Sequence, residues 1–114
     1  MVFDIDSLWD ELACSEGFHT FECEVDDNKN LVGEPVGVVL CDLGVFWGGS
    51  IHTQGLFRQI LLEKIISAEE SSRGVEVVYE EGGVEKRIMF TPRGADQDLF
   101  ESLESYARKR GRRL

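Results

Sequence analysis

The sequence contains no apolar run that approaches the roughly 20 residues a membrane-crossing helix needs. Its N-terminus also lacks the basic residues that open a secretory signal peptide, and it carries Asp4, Asp6 and Asp10 instead. Cysteines are few: the chain has three, an odd number at wide spacings, which is typical of reduced thiols rather than of a disulfide framework. These absences predict a protein of the cytoplasm.

Motifs for metal ions and nucleotides are missing as well. No C-x-x-C or H-x-x-x-H pair is present, and the glycines that follow Trp47 match neither G-x-x-x-x-G-K-[ST] nor G-x-G-x-x-G. We therefore expect no metal, no cofactor and no phosphate-binding loop. The stretch from residue 48 to residue 55 is instead predicted to be a connecting loop.

Candidate catalytic residues are sparse. His19 and His52 are candidate general bases, and Cys14, Cys23 and Cys41 are candidate nucleophiles. None of the cysteines lies in a local nucleophile motif, and both histidines fall in expected loops. Cys23 and Cys41 are better explained as small core residues. We expect a protein that is not an enzyme, with a small His/Cys enzyme as the open alternative.

Acidic residues dominate the charge balance. The chain carries 22 acidic and 12 basic side chains, for a formal net charge of −10. Five bases lie in the tail from Arg108 to Arg113, so the seven bases and 22 acids of residues 1–107 give −15. Such a body repels nucleic acid and anionic membrane surfaces, and it favours a basic protein partner. The tail either stabilises the end of a helix or binds an anionic surface, and its attraction to the acidic body of a second copy leaves a homodimer open.

The N-terminal part of the chain has first the spacing of a helix and then that of a strand. Four apolar residues recur at i, i+3, i+4 and i+7, namely Ile5, Leu8, Trp9 and Leu12. Asp4 is placed to cap the first turn, and the helix is predicted to end near Gly17. Phe21, Cys23 and Val25 then alternate with polar residues, which predicts a strand with one wet face.

A paced series of strands is predicted between residues 36 and 93. The stretch 36–47 is apolar at both its odd-numbered and its even-numbered positions, so both faces of a strand here would be apolar. This pattern favours a hairpin of two central strands, 37–41 and 45–47, that turns at Leu43-Gly44. In residues 56–70 the apolar period changes from two to three. This change favours a strand that breaks into a tight turn, and a helix is the open competitor.

The last elements are a second hairpin and an amphipathic helix. Residues 75–80 and 84–90 alternate about a Gly82-Gly83 turn, with Val84, Ile88 and Phe90 expected to face inward. Residues 95–108 then carry a helical apolar stripe that must lie on the sheet. The expected fold class is α+β: a small antiparallel sheet or partly open barrel with a capping C-terminal helix. Residues 1–17 form an N-terminal helix and residues 18–114 the barrel, within one domain.

The order of these elements resembles a known superfold. The segments that carry the resemblance are GVVLCDLGVFW, RQILLEKIISAEE, GVEVVYEE, EKRIMF and LFESLESYA. They are similar to the pleckstrin-homology-like superfold, especially its GRAM and bacterial PH-type versions. In that superfold a hairpin is followed by an I-x-L-x-x-I strand, another hairpin and a capping helix. A narrower resemblance is to the archaeal taxis adaptors of the CheF family, which link a response regulator to the motility motor.

The resemblance implies a barrel that binds proteins, peptides or phosphoinositides. Lipid-binding members use basic residues around the loop that joins their first two strands. Here that loop holds Asp26, Asp27 and Glu34 against one base, Lys29, so coulombic repulsion disfavours phosphoinositides. Protein recognition is the better interpretation.

We therefore predict a non-catalytic protein-interaction module, acting as a small cytoplasmic adaptor or regulatory subunit. Docking would use an unpaired edge beside strand 45–47, or the groove between that strand and the C-terminal helix. The predicted contact residues are Phe46, Trp47, His52, Phe57 and Arg58. Replacing Trp47 and Phe57 with alanine is expected to abolish binding and to spare the fold. The alternative to protein binding is a lipid-surface binder that uses the basic tail.

A second surface is an acidic one. Four glutamates form either a partner surface or a solvated face, namely Glu69, Glu70, Glu80 and Glu81.

Overall fold

The computed structural model describes residues 2–13, 15, 17–26, 36–48, 55–93, 98–109 and 111. Its helices are α1 (Ile5–Ala13) and α2 (Leu99–Lys109). Its strands are β1 (Val2–Phe3), β2 (Phe18–Asp26), β3 (Val36–Cys41), β4 (Gly44–Gly48), β5 (Phe57–Leu61), β6 (Ile65–Ser71), β7 (Gly74–Glu81) and β8 (Val84–Pro92). A 3-10 turn at Leu62–Lys64 joins β5 to β6.

The strands form one antiparallel sheet in the order β1-β5-β4-β3-β2-β8-β7-β6. Because β1 has only two residues, the other seven strands carry the sheet. The ladder between β2 and β8, from Cys23–Pro92 to Asp26–Met89, joins a meander of β2 to β5 to a second meander of β6 to β8. The expected α+β class, with one antiparallel sheet, a short N-terminal helix and a C-terminal helix, is confirmed.

The sheet is not closed into a barrel, so of the two expected forms the structure supports the antiparallel sheet. Among the described residues, β6 pairs only with β7, and β5 pairs only with β4 and β1. Consecutive strands β5 and β6 do not pair with each other. The 3-10 turn between them is instead bonded to the turn that joins β3 to β4. Leu62 is buried in the core, and its N–H donates to the carbonyl of Leu43 at 3.1 Å.

Strands β3 and β4 are covered on both faces, because a helix packs against each side of the sheet. On one face the main core places Val38 and Trp47 in the same cluster as Leu103 of α2. On the other face a second cluster gathers Leu8 and Leu12 of α1 with Val39, Cys41, Phe46 and Phe57. This double coverage explains why residues 36–47 are apolar on both alternations, and the expectation of two central strands is confirmed. Each large apolar side chain buried in this way contributes about 1.5–3 kcal/mol.

Helix α1 begins at the expected cap. The Oδ1 atom of Asp4 accepts a hydrogen bond from the N–H of Ser7 at 2.7 Å, and this bond lowers the pKa of the Asp4 carboxyl. The helix ends at Ala13, earlier than the expected end near Gly17. Its apolar stripe is also narrower than predicted, because Ile5 and Trp9 are exposed.

The first predicted hairpin is confirmed with a small shift. Strands β3 and β4 turn at Asp42 and Leu43, one residue before the expected pair, and Gly44 opens β4. Gly44 adopts a φ of 143°, and a Cβ atom there would lie 2.1 Å from the carbonyl oxygen of Ile60. The close approach of β5 to β4 therefore requires glycine at this position.

Residues 57–71 form a strand, a 3-10 turn and a second strand, so the helix competitor is excluded. The second hairpin is also confirmed: β7 and β8 turn at Gly82 and Gly83, whose φ values of 60° and 79° suit a two-residue hairpin loop. Val84 is exposed rather than inward-facing, since it lies next to the turn, at the tip of the hairpin.

Helix α2 packs its stripe into the main core through Leu99, Leu103, Tyr106 and Ala107. The predicted beginning of this helix, at Ala95, falls outside the described residues. Arg108 and Lys109 occupy the last turn, where a cation interacts favourably with the helix dipole. Neither helix in the described ranges is long and apolar enough to cross a membrane.

Candidate docking edge

Trp47, a predicted contact residue, lies inside the main core. Its side chain is only 7% exposed, and its ring meets that of Phe90 edge to face at a centroid distance of 5.8 Å. Residues of α2 belong to the same core cluster. The space between β4 and α2 is therefore filled by side chains instead of forming the expected groove.

Phe46 and Phe57 lie on the opposite face of the sheet and are buried beneath α1. Of the predicted contact residues, Arg58 on β5 is exposed, and His52 lies outside the described residues. The structure thus brings two of the three aromatic residues together, but in a core cluster. None of the three offers the exposed ring area that an interface anchor supplies.

Strand β4 has no unpaired edge. It pairs with β3 along one side and with β5 along the other, so the edge expected beside residues 45–47 is occupied. In the described part of the sheet the long strand with one unpaired side is β6, at the end of the strand order. This strand is the candidate docking edge.

The β6 edge combines an irregular start with an acidic end. Its register with β7 shifts between Ile65 and Ser67, so Ile66 forms a bulge and is 50% exposed. Further along the strand, Glu69 and Glu70 are exposed. A strand that pairs here would therefore meet an apolar side chain first and carboxylates next.

An acidic cleft adjoins the end of β6. It has a volume of about 440 Å³ and is lined by Glu70, Ser71, Gly74, Val75, Pro92 and Glu101. Glu101 comes from the first turn of α2, so β6 and α2 each contribute one carboxylate. Among the described residues that line the cleft none is basic, so its charge favours a cationic side chain over an anionic one.

A second cleft differs in its charge. It is smaller, about 190 Å³, and its lining includes both Arg73 and Arg87 beside Asp26 and Glu76. Arg87 Nη1 lies 3.1 Å from Glu76 Oε1, so part of this charge is already paired. Among these two clefts, the one at β6 therefore has the stronger preference for a cation.

The candidate catalytic residues are arranged for packing. Cys23 and Cys41 are thiols buried in different clusters, as expected for core residues. Burial raises the pKa of the Cys23 thiol to about 12, so its nucleophilic thiolate is scarce at neutral pH. His19 Nδ1 shares a hydrogen bond of 2.8 Å with Tyr106 Oη, and Lys109 Nζ lies 5.6 Å from the centre of the Tyr106 ring.

Metal ligands are not assembled in the described part of the chain, where no group of three or more His, Cys, Asp and Glu side chains could hold an ion. Cys14 and His52 fall outside the described residues.

Sequence reasoning identified two acidic residues of the β6 edge but not their position at the end of the sheet. Glu69 and Glu70 are predicted as an acidic surface, but Glu101 was assigned only to the helix. The two contributions to the cleft, Glu70 and Glu101, are far apart in the chain and meet because α2 lies against the sheet near β6. A local pattern cannot show such a meeting.

No family model, no curated protein and no solved structure matches this chain.

Proposed function

We propose that this protein is a non-catalytic interaction module that binds an extended, basic segment of another protein as an added strand on β6. The observation that carries the proposal is β6 itself: it has no partner strand on its second side in the described sheet, and its last residues, Glu70 and Ser71, line the acidic cleft. Main-chain hydrogen bonds along an edge supply affinity, and pockets for alternate side chains supply specificity.

Charge determines which strand can pair at this edge. Glu69 and Glu70 lie on β6, and Glu101 of α2 lines the same cleft as Glu70. Arginine or lysine in the incoming segment would place its cation in the cleft, where a carboxylate accepts charge-assisted hydrogen bonds. The same carboxylates oppose pairing of β6 with the β6 of a second copy, because like charges across a strand pair destabilise it.

The order of elements supports a PH-like identity for the fold. The hairpin of β3 and β4, the hairpin of β7 and β8 and the C-terminal helix follow one another along the chain, as that resemblance implies. The protein would act as a small adaptor or regulatory subunit in the cytoplasm. Kinship with the CheF adaptors stays a prediction.

A synthetic extended peptide of alternating valine and arginine tests the strand-addition site. We expect it to slow amide hydrogen exchange in β6 when it binds, because the added strand protects the edge from water. We expect the double substitution Glu70→Lys/Glu101→Lys to weaken binding at least tenfold, since it replaces both carboxylates of the cleft with cations. Titration calorimetry measures the affinity, and exchange mass spectrometry locates the protection.

The matched control is Glu80→Lys/Glu85→Lys, which makes the same change in net charge on the distant end of the β7–β8 hairpin. This control should retain most of the affinity. Equal losses in the two double variants would show only a general effect of net charge and would contradict the proposed site. Protection that appears elsewhere than in β6 would contradict it as well.

A further inference from the structure

An exposed aromatic pair lies on the side of the molecule covered by α1. Trp9 is 55% exposed and Phe18, at the beginning of β2, is 42% exposed. Their rings meet edge to face with centroids 6.1 Å apart. Ile5, one helical turn before Trp9, is 48% exposed. We name these three residues the α1 patch.

The α1 patch is more than a set of scattered apolar side chains. Single exposed apolar residues are ordinary on protein surfaces, and Val84 at the end of the second hairpin is one of them. Trp9 and Phe18, in contrast, come from two different elements and contact each other through their rings. Rigid aromatic rings of this kind lose little conformational entropy when a partner covers them, and tryptophan is enriched among the residues that dominate binding energy.

The two elements that form the α1 patch carry only acidic charges. Helix α1 and strand β2 together carry six carboxylates and neither lysine nor arginine, the carboxylates being Asp6, Asp10, Glu11, Glu22, Glu24 and Asp26. Asp6 and Asp10, which follow Ile5 and Trp9 on α1, are exposed and give the apolar centre an acidic rim. Such a surface is complementary to a segment that presents apolar residues among lysines and arginines. An arginine of such a segment could also stack on the exposed Trp9 ring by a cation–π contact.

We infer that the α1 patch is a docking surface for a basic amphipathic helix of another protein. A second copy of this chain fits less well, since a two-fold contact would bring the acidic rim of each copy against that of the other. An anionic bilayer is disfavoured by the same charges. The surface is separate from the β6 edge, because β8 and β7 lie between β2 and β6 in the sheet.

The probe for this inference is a synthetic amphipathic helical peptide built from leucine, lysine and arginine. We expect it to bind and to shift the fluorescence of Trp9, with Trp47 remaining as a buried reference. Trp9→Ala and Phe18→Ala should each weaken binding at least tenfold. Val84→Ala removes an exposed apolar side chain of similar exposure outside the patch, and it should leave the affinity unchanged. Circular dichroism establishes that each variant is folded.

Two further peptides separate the causes. A peptide with glutamate in place of lysine and arginine should not bind, and one with serine in place of leucine should bind weakly and only at low salt. Several outcomes would overturn the inference: no binding of the basic amphipathic peptide, equal binding of the acidic one, or full affinity in Trp9→Ala. Dimerisation of the unmodified protein that Trp9→Ala abolishes would also overturn it, in favour of a second copy.

Discussion

Strands β4 and β6 belong to the same antiparallel sheet, yet one is sealed and the other is open. Every residue of β4 is buried, whereas only Ile65 and Ala68 are buried among the seven residues of β6. This difference in burial arises from the number of strands and core clusters that contact each strand. Strand β4 has a strand on each side and core clusters on both faces, while β6 has a partner strand on one side. Aromatic residues on the sealed strand stabilise the fold, and the open strand keeps its backbone edge accessible.

Truncation of a buried aromatic residue should produce the largest contrast between the two strands. Phe46→Ala on β4 should lower the free energy of unfolding by about 3–5 kcal/mol, through lost burial and the cavity left behind. Ile66→Ala on β6 should cost less than about 1 kcal/mol, because the side chain is half exposed. Urea unfolding followed by circular dichroism measures both. Similar losses of unfolding free energy in the two variants would mean that Phe46 on β4 is not buried.

The double substitution Trp47→Ala/Phe57→Ala belongs to the same comparison. The sequence-based expectation that it spares the fold does not suit two buried side chains, one in each core cluster. We now expect this variant to lose its cooperative unfolding transition.

Two glycine substitutions compare a crowded backbone position, Gly44 at the beginning of β4, with an open one, Gly82 in the β7–β8 turn. Gly44→Ala would force a Cβ atom against the carbonyl of Ile60 at a positive φ, and we expect a loss of about 3 kcal/mol. Gly82→Ala also places alanine at a positive φ, but with open space around it, and should cost about 1 kcal/mol. Thermal unfolding of both variants tests this order. The reverse order would show that strands β4 and β5 can move apart.

The smallest expected effect is a pH dependence of the free energy of unfolding. It measures how far the Cys23 thiol in the main core is shielded from water. The pKa of Cys23 rises from 9.0 to about 12 on folding, chiefly because of burial. The folded state therefore holds the thiol proton more tightly, so this stabilisation is complete below pH 9 and is lost as the pH rises towards 12. Unfolding of the native protein and of Cys23→Ala, compared from pH 8 to pH 11, should show a shallower decline in the variant. Parallel curves would mean that the thiol is solvated.

Local patterns in the sequence predicted local structure well. The Asp4 cap, the change of period that marks the break between β5 and β6, and the Gly82-Gly83 turn each depend on residues close together in the chain. Such features follow from capping, alternation and turn chemistry, and the structure contains them.

Features that depend on distant residues were missed. The apolar pattern of residues 45–47 indicates a central strand, but it does not reveal which strand occupies each side, and so the edge was assigned to β4 rather than β6. The exposure of Trp9 was missed for a similar reason. The number of apolar helix residues that become buried depends on the area of sheet the helix covers. Helix α1 buries only Leu8 and Leu12 against the sheet. The α1 patch is what remains of the stripe.

The ladder between β2 and β8 has a consequence for how the chain reaches this structure. It contains four residue pairs and brings together segments roughly 60–70 positions apart, whereas the other ladders among the seven longer strands join consecutive strands. Each meander can form from nearby contacts, but their union must close a long loop, whose entropy cost precedes the gain from packing. The protein therefore consists of two meanders joined by one short ladder, and we expect the formation of that ladder to limit the rate of folding.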